Sequence, residues 1–143
     1  MLAIRSFVHL SSTDKWLFVR AAGVLLLMRV SLLLFPLTRL RMLVARVGQR
    51  SAQAHSPDPS AVQHIAWAVT TTSRFIPGTT CLPQALAAQL LLNRHGYEAR
   101  LCIGVARERA GQLEAHAWIE SQGQVVIGGP EADLVRFTRL PLR

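Results

Sequence analysis

Residues 81–128 read CLPQALAAQLLLNRHGYEARLCIGVARERAGQLEAHAWIESQGQVVIG, and this stretch decides the fold. Its first part, Cys81 to Arg94, is apolar at almost every position and is closed by Gly96, which predicts a helix buried on all sides and therefore central. After residue 97 the period changes. Residues 98–107 (EARLCIGVAR), 112–120 (QLEAHAWIE) and 123–127 (GQVVI) predict three strands. The turn around Ser121-Gln122-Gly123 makes the last two a hairpin whose paired positions sum to about 244, which places Gly128 opposite His116. Upstream, FIPGTT at 75–80 is a turn. Asp58 is suited to cap a helix that has Pro59 at its first position and runs to about residue 74. Helices come first and an antiparallel sheet follows, so the class is α+β.

The N-terminal third has a different character. Residues 12–35 predict one long helix, capped by Ser12 or Thr13 and stopped by Pro36. A short basic helix, 37–47, follows it. The segment GQRSAQAHSPDPS (48–60) is polar, carries two prolines and reads as a linker. The expected organisation is a basic apolar helical segment (1–50), a linker (51–60) and a core (61–143).

With 143 residues, half of them apolar and 17% charged, the chain has the composition of one folded domain, not of a disordered or collagen-like polymer. The formal charge of +8 is uneven. Residues 1–50 hold eight Lys or Arg against one acid, Asp14, a net of +7, whereas residues 51–143 hold eight Arg against seven acids, a net of +1. Such a segment suits phosphate, anionic lipid or an acidic peptide. Nucleic acid is disfavoured, because the basic residues alternate with Leu and Val instead of stacking aromatics.

Helix 12–35 is apolar enough to raise the question of a membrane span. Its twelve Leu, Val and Phe residues between 17 and 35 favour insertion by roughly 4–7 kcal/mol, and Arg20 and Arg29 oppose it by roughly 5–7 kcal/mol if central. The sum is near zero. The preferred reading is a helix packed against the domain, followed by peripheral membrane contact through residues 12–47, with a true span third. No cleavable signal is evident, and two cysteines at this spacing form neither a metal knuckle nor a disulfide framework. The expected setting is cytoplasmic, with membrane association as the variant, and no cofactor is expected.

Cys81 opens the central helix. A helix N-terminus offers free N–H groups and a partial positive charge, which stabilise a thiolate and can hold the oxyanion of a tetrahedral intermediate. Cys102, inside Leu101-Cys102-Ile103, reads as core. His116 lies on a strand, on the face shared by Glu114, Trp118 and Glu120. The remaining histidines, His9, His55, His64 and His95, make no spaced pair with it, so a zinc site is not expected. A cysteine opening a buried helix, followed about 35 residues later by a strand histidine, is the papain and transglutaminase arrangement of nucleophile and base.

The stretches CLPQALAAQLLLNRHGYEARLCIGVA and AHAWIESQGQVVIGG, together with the basic apolar N-terminal helices, resemble the lasso-peptide biosynthesis leader peptidases in their short discrete form. These belong to the transglutaminase-like, papain-like cysteine proteases. The resemblance implies a core in which the Cys-bearing helix packs on a small antiparallel sheet. It implies removal of the leader from a ribosomally made lasso precursor peptide, with a separate leader-recognition protein and before an ATP-dependent lasso cyclase closes the macrolactam. It places the nucleophile on Cys81 and the general base and acid on His116, and it implies a threonine next to the end of the leader. The family often carries an acid on the strand after the histidine. Here the expected position is Gly128, so Asp133 and Glu131 stand as equal candidates for the orienting acid, with a backbone carbonyl or no third member as the alternatives. Trp118 is either a shield and substrate contact or simple packing. Gln84 is left out of the catalytic set, and Arg20 and Arg29 read as interface or snorkelling residues. A catalytically silent scaffold that docks precursor and cyclase is the rival reading, and acyl transfer within the same superfamily is a third.

Overall fold

The computed structural model describes residues 11–49 and 58–142; positions 51–57 of the expected linker, with His9 and His55, lie outside the described residues. Helix α1 spans Ser12–Leu34. Its cap is Ser11, one residue before the expected Ser12 or Thr13, and the Ser11 Oγ accepts from the Asp14 amide at 3.2 Å. Pro36 ends it, and α2 (Leu37–Gln49) follows. In α3 (Pro59–Ser73) the Asp58 carboxylate accepts from the amides of Ser60 and Ala61. The Ser60 hydroxyl, which donates to the same carboxylate at 2.8 Å, and after it these amides hold the Asp58 carboxyl below its ordinary value. Helix α4 runs from Cys81 to Arg94, as the sequence predicts.

Strands β1 (Arg100–Arg107), β2 (Leu113–Ser121), β3 (Gln124–Ile127) and β4 (Thr138–Arg139) form an antiparallel sheet in the order β3-β2-β1-β4. A short helix, α5 (Glu131–Leu134), links β3 to β4. The architecture is therefore α+β. Helix α4 is the hub: it contacts α1, α2 and α3 on its sides and β1, β2 and β3 beneath. Its Ala85, Leu86, Ala87, Ala88, Leu91 and Leu92 are all buried in one core with Ala21, Leu25, Val44, Val69, Ala117 and Ile119. The alanines let neighbouring elements approach closely, and the leucines fill the space between them.

Two features depart from the sequence reading. The first is the hairpin. The turn has two residues, Gln122 and Gly123, both with positive φ (53° and 76°), which suits the right-handed twist of the strands. Ser121 pairs with Gln124 and Glu120 with Val125, and past an irregularity Ile119 pairs with Ile127. The pairs sum to 245 and then 246, not 244. The shift carries Gly128 against Trp118 and not opposite His116: a Cβ on Gly128 would lie 2.3 Å from the Trp118 Cβ.

The second is the far face of the sheet. The alternation of β2 suggests a polar face with His116 and Trp118. Instead that face carries a second small core of Cys102, Ala106, Trp118, Leu134 and Phe137, and Trp118 is only 1% exposed. Leu134 and Phe137 come from the segment that folds back after β3. Each is too isolated in sequence to show a period. Trp118 Nε1–H donates to Glu120 at 3.2 Å, and Arg139 donates to the same carboxylate at 2.5 and 3.3 Å. Burial raises the Glu120 carboxyl, but these bonds and the Arg139 charge outweigh it and leave the group below its ordinary value near 4.5. A carboxyl lowered on folding stabilises above its unfolded value and loses that contribution as pH falls through the folded one. The difference in melting temperature between the wild type and Glu120→Gln should therefore be full at pH 7 and shrink below about pH 4.5, and a difference that stays constant from pH 7 to pH 3 would contradict this role.

Candidate active site

Cys81 and His116 reach one cavity of about 460 Å³, whose walls include Thr70, Thr80, Gln84 and Gly128. Each reaches it for a local reason. Cys81 is the first residue of α4, and Thr80 caps that helix without a side-chain hydrogen bond. The first amides of α4 are thus left for a ligand, with Pro83 giving up only a donor that the first turn does not need. His116 stands on β2 beyond the last pair with β3, where the sheet edge opens onto the cavity. Cys81 and His116 are both partly exposed, which suits groups that must meet a substrate.

The imidazole is held from two sides. His116 Nε2–H donates to the Gly128 carbonyl at 2.6 Å. With Nε2 as the donor, a neutral ring keeps its lone pair on Nδ1. The ring also stacks on Phe137 at 5.4 Å between centroids, and on Trp118 at 6.3 Å. Gly104, directly across from His116 on β1, leaves room for this stack; a Cβ there would come within 2.8 Å of Phe137 and 2.9 Å of Trp118.

The holder of His116 is therefore the main chain of residue 128, not an acidic side chain. Asp133 and Glu131 lie on α5, exposed, and neither lines the cavity nor bonds His116. Trp118 backs the imidazole from inside the second core and does not line the cavity, so the structure assigns it packing rather than substrate contact. Gln84, one helical turn past Cys81, does line it; the i, i+3 spacing was the available signal. Cys102 is buried, and burial first, then the Glu120 charge, push its thiol up, so it stays a neutral core thiol. His64 pairs with Asp14 at 2.7 Å, and His95 bonds the Leu91 carbonyl.

Arg29 has a partner within the chain. From α1 its guanidinium donates to the Pro77 carbonyl and covers Gly78, in the loop that delivers Cys81. Arg29→Met keeps the aliphatic stem and removes the donor. The Thr79 amide, which bonds Ile76 O across this loop, should then exchange about tenfold faster or more by hydrogen exchange. Unchanged protection would show that Arg29 does not hold the loop.

A family model described as the transglutaminase-like superfamily matches residues 24–141, which takes in α1 from its middle through β4 and both cavity residues. No curated protein and no solved structure matches the chain.

Proposed function

Since the chain belongs to the transglutaminase-like superfamily, which includes cysteine proteases, we propose that it is a cysteine peptidase that removes the leader from a ribosomally made lasso-peptide precursor. The observation that carries the chemical half of this reading is the shared cavity of Cys81 and His116, with His116 Nε2–H on the Gly128 carbonyl. The biological half rests on the resemblance of residues 81–106 and 115–129 to the discrete leader peptidases. A separate leader-recognition protein and an ATP-dependent cyclase are the partners this reading requires.

The scissile peptide lies across the start of α4. His116 Nδ1 takes the Cys81 proton, and the thiolate attacks the last carbonyl of the leader. The amides at the start of α4 hold the oxyanion. The C–N bond breaks as imidazolium protonates the leaving amine, which becomes the free N-terminus of the core peptide. Water then attacks the thioester, His116 takes its proton, and thiol and leader carboxylate are released. That free amine is the group an ATP-dependent cyclase would acylate.

A chain of this size offers little surface to grip a leader as well as a cleavage site. The recognition protein should therefore raise kcat/KM by about 10²-fold or more, by holding the precursor at high local concentration. The test follows precursor cleavage by mass spectrometry with and without that protein. Equal rates in the two mixtures would remove the two-protein reading. If an added amine captured the acyl group in place of water, transfer would replace hydrolysis.

A further inference from the structure

Among the described residues, one face of helix α1 is left uncovered. Phe18, Ala21, Leu25 and Met28 pack into the protein. The other side presents Trp16, Val19, Gly23, Leu26, Leu27, Val30, Leu33 and Leu34, followed by Phe35, and all nine are exposed, Leu33 at 81%. They recur at helical spacing over about 27 Å of rise from Trp16 to Leu34, at about 1.5 Å per residue. None is charged. The arginines that break the hydropathy of this helix are off the stripe: Arg29 turns to Pro77, and Arg20 is half-buried. Soluble surfaces seldom leave so long an apolar strip uncovered.

Charge identifies the occupant. The chain passes from Phe35 through Pro36 into α2, where Arg39, Met42, Leu43, Arg46 and Val47 are exposed. The sole acid of residues 1–50, Asp14, is engaged with His64. A second copy would set one chain of net charge +8 against another. An anionic lipid surface offers both an apolar layer for the stripe and opposite charge for the arginines.

We infer that α1 and α2 dock the protein on the surface of an anionic bilayer, with the stripe from Trp16 to Phe35 in the interfacial layer. Although Ser12–Leu34 is long and apolar enough to cross a membrane, its inner face is part of the protein core, so it lies on the bilayer and does not span it. This inference is independent of the peptidase reading.

The experiment is co-sedimentation of the full chain with phosphatidylcholine vesicles and with phosphatidylcholine–phosphatidylglycerol vesicles. Binding to the anionic vesicles should be at least about tenfold tighter at low salt, and the gap should narrow as salt rises. The double variant Leu26→Glu/Val30→Glu should bind at least about tenfold more weakly to both. Leu33→Glu/Leu34→Glu, at the more exposed end, should do the same and stands in if the first pair fails to fold by circular dichroism. Arg39→Gln and Arg46→Gln should each lower the anionic preference by about fivefold. No sedimentation with either vesicle overturns the proposal, as does binding that ignores the glutamate variants. Retention on anionic vesicles through high-salt and alkaline washes overturns it in favour of a span. Failure to sediment, with a dimer in light scattering that Leu26→Glu/Val30→Glu dissolves, overturns it in favour of a contact between copies.

Discussion

Cys81→Ala is expected to abolish release of the leader fragment, with a rate loss of about 10⁴-fold or more and precursor binding unchanged. In nucleophile–base pairs the two groups act as a unit, so loss of either removes most of the acceleration. His116→Ala should match it to within about tenfold, since the thiol then has no partner for its proton. The exchange of Cys81 for Ala at the start of α4 removes one sulfur from a partly exposed position, so melting temperature should change little. A mass-spectrometric assay with precursor and recognition protein reads the outcome. Fragment from the wild type alone supports the peptidase. Equal fragment from wild type and Cys81→Ala would exclude Cys81 as the nucleophile, and fragment from neither, with binding intact, would favour a docking scaffold.

Gly128→Ala is expected to cost both stability and activity. Gly128 has φ +116°, a conformation that glycine alone adopts without strain, and an added Cβ would meet the Trp118 Cβ at 2.3 Å and its Cα at 2.9 Å. Strain and overlap together should lower unfolding free energy by about 3–5 kcal/mol. The melting temperature should fall accordingly, and activity at temperatures where the variant remains folded should fall too, because the displaced carbonyl is the one that holds His116. Gly128→Asp should be no better: installing a carboxylate there does not supply an orienting acid, since Trp118 occupies the place of its Cβ. A Gly128→Asp protein as stable and active as the wild type would show that this packing does not govern the site.

These two positions also show what could be read in advance. The apolar run between Thr80 and Gly96 fixes α4, and with it the place of Cys81, by its length and its closing glycine. The hairpin was legible too, because strands flanking Gln122-Gly123 have few other ways to turn. Its register was not, since one residue more or less in the turn shifts every pair, and the irregularity at Ile119/Glu120 shifts them again. That a backbone carbonyl holds His116 was legible only as one of the alternatives, and which carbonyl was hidden for a related reason. A sequence displays side chains, and glycine displays none, yet every residue carries a carbonyl. Leu134 and Phe137 were equally silent, because the few apolar residues of that short segment, exposed Val135 among them, show no period. Arg29 looked like a defect in an apolar helix until its partner, 48 positions away at Pro77, was seen.

The carbonyl that holds His116 has one further property: it has no proton to gain. A carboxylate in that role would release its grip as it neutralised in acid, and orientation would fail together with charge. The Gly128 oxygen accepts the same bond at any acidity the sheet survives. Acid can therefore not loosen this mooring, and a loss of activity at low pH would not report a base that has swung out of line.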